Sequence, residues 1–391
     1  MDFSRNETQR DLAALSRAIL TDRATPERLG EVEGRGDRFD PGLWADLAGA
    51  GVLAAALPES LGGAGLGLLE QCSVLAEIGR AVAPVPYLAS AVLGAGALAR
   101  FGTPEQQRRW AEPAGRGELL LTAALSEEDG DDPRAPAAVK GEWGAGRGVA
   151  GRWLLTGTKT AVPAGPRADL MLVPAATAQG TTVFLVTPGD RGVTIEPQRM
   201  TDGDAAGHLE LAGVELPDDR VLGAGPGGRP PQTPPLGPPT GAEITDWLVS
   251  RGTVGLCAQQ LGVLERALEL TSAHANSRMQ FGRPIGSFQA VAQRLADAYI
   301  DVEAVRLTMW QAAWRLSEGL PCDTEVATAK FWAADAGHRV AHTAVHVHGG
   351  MGVDSDHPLH RYFVAAKRLE FALGGATTQL RRIGAALARA N

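Results

Sequence analysis

Residues Arg278 to Asp297 read RMQFGRPIGSFQAVAQRLAD. Arg278 closes a helix-like run. The heptad Gln280-Phe281-Gly282-Arg283-Pro284-Ile285-Gly286 cannot continue it, because two glycines and a proline interrupt the ladder. Ser287 stands where an N-cap belongs, and Phe288-Gln289-Ala290-Val291 restarts a helical pattern. The stretch therefore reads as helix, exposed elbow, helix, with Arg278, Gln280, Arg283 and Gln289 gathered at the elbow. An arginine fork beside a helix start suits a phosphate or pyrophosphate. A solvated surface turn would show the same residues, so an anionic ligand and a plain turn both stay open at this point.

The run R-x-Q-F-G-R-P-I-G-x-F-Q closely resembles the signature of the C-terminal helical domain of acyl-CoA dehydrogenases. In that family its arginine and glutamine reach the FAD of a neighbouring subunit. The resemblance implies that Arg278, Gln280 and Phe281 hold FAD across a subunit interface, with Gln289 beside them. A shared cofactor implies at least a dimer, and the family is usually tetrameric.

The rest of the chain follows the same order. Residues 1–118 read as helices: Leu12, Leu15, Ile19 and Leu20 have helical spacing, and Leu68 to Ala81 reads as a helix with Glu70 and Glu77 on its polar side. Thr103-Pro104-Glu105-Gln106 is a helix start, with Thr as cap and Pro in the first turn. The pieces LPESLGG, EIGRAVAPVPY and FGTPEQQRRW are similar to the family's N-terminal helical domain. From residue 119 to 222 the period changes to short strands broken by Gly, Pro and Asp, with Trp153 to Lys159 alternating around a turn. This reads as a middle β domain, a barrel or sandwich. Residues 223–241, GAGPGGRPPQTPPLGPPTG, form a Pro/Gly-rich linker. Helices return over 242–391, where Leu261, Leu264 and Leu268, and again Leu295, Tyr299, Val302, Val305 and Met309, make core stripes. The resemblance implies an α+β fold: N-terminal helical domain, middle β-barrel or sandwich, C-terminal four-helix bundle.

Composition excludes several other classes. At 391 residues with 44% hydrophobic and 21% charged residues, a large core is available and disorder is not the default. A net charge of -8 argues against a nucleic-acid surface. No apolar run approaches the ~20 residues that span a bilayer. The N-terminus MDFSRNETQRDL has no apolar signal core, and Cys72, Cys257 and Cys322 are scattered, so a cytoplasmic protein is expected. The glycine clusters at 144–148 and 223–228 lack the strand-turn-helix context of a dinucleotide fingerprint.

Three further stretches carry chemistry. Leu125-Ser126-Glu127-Glu128-Asp129-Gly130-Asp131-Asp132 is by itself an acidic turn after a strand, a metal loop being the rival. By resemblance it lies along the flavin, with Leu125 at the ring and Ser126 replacing a threonine; Glu128 takes the place of a proline. Thr158 to Pro163 is similar to a second flavin strand, with Ala161 where an aromatic is usual and Pro163 where a hydroxyl is usual. His346-Val347-His348-Gly349-Gly350-Met351-Gly352 resembles the family's Gln-x-His-Gly-Gly-x-Gly, so His346, Gly349 and Gly350 are expected at the dinucleotide; a zinc site of His342, His346 and His348 is the rival, without acidic or cysteine partners at ligand spacing. Thr377 and Thr378 are expected to approach the cofactor. Arg251 is expected to contact the CoA moiety, against an ordinary surface arginine.

Family chemistry removes an α-proton from an acyl-CoA while a β-hydride goes to the flavin, and needs a positioned carboxylate. Registering on Thr378-Gln379-Leu380-Arg381-Arg382 puts Gly375 at the usual glutamate position, and the alternative position falls near Gly252. Neither can take a proton, and no catalytic residue is assigned. Loss of a general base typically removes ~10²–10⁴ in rate. The chain is therefore expected to be the base-lacking subunit of a hetero-oligomer, similar to actinobacterial mixed-subunit acyl-CoA dehydrogenases that act on bulky, sterol-derived acyl-CoA, though a homo-oligomer also fits. Electron-transfer flavoprotein or another acceptor would reoxidise it. Alternatives are a flavin-dependent oxidase or monooxygenase on the same fold, or a non-catalytic scaffold.

Overall fold

The computed structural model describes residues 3–128, 130, 132–144, 152–223 and 240–390. The glycine clusters at 144–148 and 223–228, the Pro/Gly-rich stretch, and Asp129 and Asp131 of the acidic turn fall wholly or mostly outside them.

The N-terminal third is helical: α1 (Glu7–Arg23), α2 (Pro26–Gly34), α3 (Pro41–Gly49), α4 (Leu68–Arg80), α5 (Gly96–Phe101), α6 (Pro104–Gln106) and α7 (Glu112–Gly115), with π-helical turns at Leu88–Ala95 and Gln107–Ala111. Local sequence sets the starts. Thr103 Oγ1 accepts from Gln106 N while Gln106 Oε1 accepts from Thr103 N, a closed capping box. Asp40 caps α3 through Gly42 N and Leu43 N. In α1 the buried face is Gln9, Ala13, Ser16 and Leu20; of the expected stripe Leu20 is buried, Leu12 and Ile19 are half-buried, and Leu15 is exposed. Glu70 and Glu77 are buried, not solvated. Glu70 Oε1 accepts from Gln9 Nε2, and Glu77 takes a bidentate fork from Arg17 at 2.6 and 2.8 Å.

The middle is one seven-stranded sheet: β1 (Leu121–Ala123), β2 (Lys140–Trp143), β3 (Arg152–Pro163), β4 (Leu170–Thr177), β5 (Gly180–Val186), β6 (Val193–Arg199) and β7 (Ala205–Pro217). The order is β1-β4-β2-β3-β7-β6, with β5 also on β4. β1 and β2 run parallel to β4, and the remaining pairs are antiparallel. No turn interrupts Trp153 to Lys159. β3 is continuous through it, with a register shift against β7 between Leu155 and Thr156, and Gly157, at φ 135, lets Ala138 O approach where a Cβ would stand 2.1 Å away.

Five helices follow: α8 (Gly241–Ser277), α9 (Gln289–Ser317), α10 (Asp323–His348), α11 (Leu359–Phe371) and α12 (Ala376–Ala390). Between α8 and α9 lies a two-stranded ribbon, β8 (Met279–Gln280) with β9 (Arg283–Pro284).

The chain forms two compact units. One holds residues 1–35, 67–84 and 253–391. Its α4 and α8 approach backbone to backbone: a Cβ on Gly262 would stand 1.8 Å from Ala76 O, and one on Gly79 would stand 2.0 Å from Gln259 O. Val302, Val305 and Met309 enter its core as their spacing implies, but Tyr299 and Ile300 are exposed and Leu295 half-buried, so the stripe on α9 is core only in its second half. The other unit holds residues 36–66 and 85–252, with the sheet and the first turns of α8. A buried Arg38–Asp202 pair at 3.0 Å ties its helical segment to the sheet. Among the described residues, no helix is long and apolar enough to cross a membrane.

Candidate functional site

The elbow is a two-residue β-hairpin. Phe281 at φ 53 and Gly282 at φ 80 are both left-handed, the backbone that joins two strands with their natural twist. Glycine takes it freely, whereas for phenylalanine it costs about 1–2 kcal/mol. Ser287 does not cap α9. Its Oγ donates to Pro284 O at 2.7 Å within a 3₁₀ turn, and Phe288 holds the cap position with no side-chain bond. Arg283 is exposed and lays its guanidinium on Phe288, 4.2 Å from the ring centroid. Arg278, Gln280 and Gln289 are exposed, and the Phe281 ring is 92% exposed.

The histidine-glycine run lies beside the elbow. His348 is buried, its Nδ1 is 2.9 Å from Ala344 O, and its ring stacks on His274 at 4.3 Å. His274 sits one turn before Arg278, whose amide donates to His274 O at 2.8 Å. Burial, then the charges of Arg278 and His357, hold His274 below its ordinary value. Burial likewise holds His348 down. Gly349 (φ 66) and Gly350 are exposed, with open space where a Cβ would stand. His346 is exposed at the end of α10, as is His342. Among the described residues, no group of three His, Cys, Asp or Glu could hold a metal ion.

The third part is the turn between α11 and α12. Leu373 (φ 55) and Gly374 (φ 97) are both left-handed. Gln379, buried at the start of α12, donates from Nε2 to Leu373 O at 3.2 Å and to Gly374 O at 3.0 Å. Gly375 follows, then Thr377 (exposed) and Thr378 (half-buried) in the first turn of α12. Glu370 does not substitute for a base at Gly375. Its carboxylate takes Lys367 Nζ at 2.5 Å and lies 3.5 Å from His338 Nδ1.

In the sheet unit, Leu125 is buried and Ser126 half-buried just past β1. Ser126 O accepts from Thr160 N at 3.0 Å. Glu127 closes the loop from within: Oε1 accepts from Lys159 Nζ at 2.6 Å, and Oε2 accepts from Ala137 N and Ala138 N. Burial pushes the Glu127 carboxyl up, but those three donors outweigh it and hold it below the usual range. Burial depresses the Lys159 ammonium despite Glu127. At Thr160–Ala161 the pairing of β3 with β7 bulges. Ala161 is left-handed at φ 49, and Gln198 Oε1 accepts its amide at 2.8 Å. Arg251 stacks its guanidinium on Trp247 at 4.6 Å. Nearby, Arg134 bonds Asp246 and Ser250 of the same helix.

The structure thus brings Arg278, Gln280, Gln289 and the glycine turn to one end of the α8, α9 and α10 helices. Ser126 and Arg251 belong to the other unit. Sequence reasoning missed Lys330, Gln379 and the Glu127–Lys159 pair. The signal for Lys330 was a single lysine on the apolar face that also carries Val326, Ala333 and Gly337.

The exposed arginine, glutamines and open glycine turn fit a dinucleotide's pyrophosphate and adenosine, and their exposure in one chain fits a cofactor completed by a second subunit. Two family models match the chain: acyl-CoA dehydrogenase, N-terminal domain, over residues 6–118, and acyl-CoA dehydrogenase, C-terminal domain, over residues 240–388. The chain is similar to acyl-CoA dehydrogenase FadE27 of Mycobacterium tuberculosis, 50% identical over 396 residues and 99% of each chain. Among solved structures it resembles a chain of the ChsE4-ChsE5 complex from the same organism (51% identity, TM-score 0.89, 99% of each chain). It also resembles a chain of the Tcur3481-Tcur3483 steroid ACAD (40% identity, TM-score 0.87, 98% of each chain). The chain belongs to the acyl-CoA dehydrogenase family of flavoprotein oxidoreductases, whose cofactor is FAD.

Proposed function

We propose that this chain is the base-lacking subunit of a hetero-oligomeric acyl-CoA dehydrogenase acting on a bulky, steroid-derived acyl thioester. The observation that carries this is the state of the turn at Gly375. The turn is fully built, held by Gln379 and tightly wound, yet it presents no carboxylate. A Cβ on Gly375 would meet Phe371 Cδ1 at 3.6 Å and Glu370 O at 3.7 Å, ordinary contacts, and its φ is not left-handed. The turn therefore has room for a Cβ and presents no proton acceptor. A homologous subunit carries that acceptor, as the two-chain relatives support.

Arg278, Gln280 and Phe281 reach the FAD across the subunit seam, and Gln289, His346, Gly349 and Gly350 complete that end. Leu125 and Ser126 lie along the flavin, Thr377 and Thr378 approach it, and Arg251 contacts the CoA moiety. When bound, FAD supplies the hydride acceptor. The chain's own residues bind and orient it and exclude water from it. Electron-transfer flavoprotein is the proposed acceptor and the cytoplasm the proposed compartment.

The test is anaerobic addition of a steroid side-chain acyl-CoA to the chain alone and to the chain co-purified with a base-carrying homologue. Bleaching of the flavin only in the mixture is expected. Bleaching by the chain alone would overturn the assignment. Fast reoxidation by oxygen with a hydroxylated product would favour an oxygenase instead.

A further inference from the structure

Lys330 is a charged group that the proposed function leaves unused. It lies in the middle of α10 with its side chain fully buried. Its Nζ donates to Leu369 O at 2.7 Å and to Glu370 O at 3.0 Å. Those carbonyls belong to the last turn of α11, where the helical ladder ends with Ala372 N on Arg368 O. Terminal carbonyls need outside donors, and a cation is the favoured one at a helix C-terminus. Burial pulls the ammonium down to about 8, with the Glu370 carboxylate opposing it, so it remains protonated near neutral pH.

We propose that Lys330 is a positioning residue: by gripping the end of α11 it fixes the turn at residues 372–375, and with it the Thr377–Thr378 start of α12 that meets the cofactor. This rests on the placement of those threonines in the proposed function. Leu373 is strained, and a left-handed non-glycine persists only where its surroundings over-determine it. Gln379 holds the carbonyls of Leu373 and Gly374 from the α12 side. Lys330 holds those of Leu369 and Glu370 from the α11 side. The turn is clamped at both ends, with Gly375 and the two threonines immediately beyond. A buried ammonium is a costly way to fill a core, and an apolar side chain of like volume would serve the fold as well or better. What the apolar side chain would not do is hold two carbonyls in place. Since this chain has no base to aim, the firmness of the turn serves the cofactor.

The test uses the complex of this chain with its base-carrying homologue. Lys330→Met is compared with Gln260→Met. Gln260 is another buried polar group of the same core, whose Nε2 donates to Ala333 O and to Ala366 O in the middle of α11, not to the turn carbonyls. Lys330→Met is expected to release FAD about tenfold faster than wild type, the scale of one lost charge-assisted hydrogen bond, and to shift the visible flavin band. Gln260→Met is expected to lower the melting temperature while leaving the release rate and the band unchanged. Should Lys330→Met not assemble, Lys330→Gln, which keeps one donor, decides the same question. Faster release at an unchanged melting temperature supports the proposal. Release that merely tracks melting temperature in all variants, or wild-type release from Lys330→Met, overturns it. A wild-type complex that holds no flavin overturns the functional reading as well.

Discussion

The loop after β1 and the elbow between α8 and α9 are both assigned to the cofactor, and they are built in opposite ways. The Ser126–Glu127 loop is finished by its own unit. Glu127 and Lys159 are almost wholly withdrawn from solvent, and every oxygen of the carboxylate has a donor. The elbow leaves most of its groups in water, although Arg283 lies on the Phe288 ring and Phe281 meets that ring edge-on. Arg278, Gln280 and Gln289 are exposed, and a phenylalanine stands out on a strained turn. A loop that satisfies itself can shape a site in an isolated subunit. An elbow that leaves its polar and apolar groups in water is, in the proposed function, the part that a second chain completes.

The largest effect should come from breaking the finished loop. Lys159→Met leaves Glu127 buried without its cation, and removing one partner of a buried pair costs about 3–5 kcal/mol. Chemical denaturation should show that loss, and it should appear in the chain without cofactor or partner. A loss below about 1 kcal/mol, the scale of an exposed pair, would mean that the loop is not self-sufficient and the contrast with the elbow is wrong.

Arg278→Ala should do the reverse. The free chain should keep its melting temperature, because an exposed arginine contributes little to the fold. FAD should be held about ten- to hundredfold more weakly in the assembled protein, the scale of a lost charge-assisted bond to a phosphate. Flavin content after gel filtration measures it. Wild-type flavin occupancy would remove Arg278 from the site.

The two constructions differ in how far the sequence exposes them. The elbow was legible because its constraints are local: two glycines and a proline must break a helix, and the residues around the break form a recognisable run. The assignment of Gly375 rests on register with the family at Thr378 to Arg382 and is part of the proposed function. The details that depend on tertiary packing were not. Nothing near Arg283 announces that its guanidinium lies on Phe288, and nothing in the α4 run shows that Arg17 from α1 meets Glu77 and buries it. Glu127 and Lys159 lie 32 residues apart, on a loop and a strand that only the sheet brings together. Tyr299 fits a core period yet faces outward, because periodicity reports which residues share a face and not what covers it.

A smaller effect should separate the histidine stack beneath the elbow from the elbow itself. His274 and His348 are both held below the ordinary value of 6.5. Above that value they are neutral folded or unfolded and contribute no pH dependence. As the pH falls through it, the unfolded chain takes up protons that the folded chain resists, so stability declines on the acid side until the depressed folded values are passed. Melting temperature measured from pH 8 to 5 should drop toward acid, and less steeply in His348→Phe, which keeps a ring against His274. An identical slope in the variant would show that the stack does not hold these groups neutral.

The smallest effect on stability, and the most informative one on assembly, is expected at Phe281. Substituting glycine relieves the left-handed strain, about 1–2 kcal/mol. It also removes the edge-on contact with Phe288, whose centroid is 6.1 Å away, worth about 0.5–1.5 kcal/mol. It adds backbone freedom to the unfolded chain, about 0.5–1 kcal/mol. These nearly cancel, so the melting temperature of the free chain should move little in Phe281→Gly. A ring 92% in water has nothing else to lose in one subunit. If the elbow is completed by a partner, sedimentation of the mixed assembly should show weaker association at that unchanged melting temperature, because the ring would be buried only there. If association is as tight as wild type, the exposed phenylalanine is a feature of the hairpin alone, and the difference between the self-finished loop and the waiting elbow loses its functional meaning.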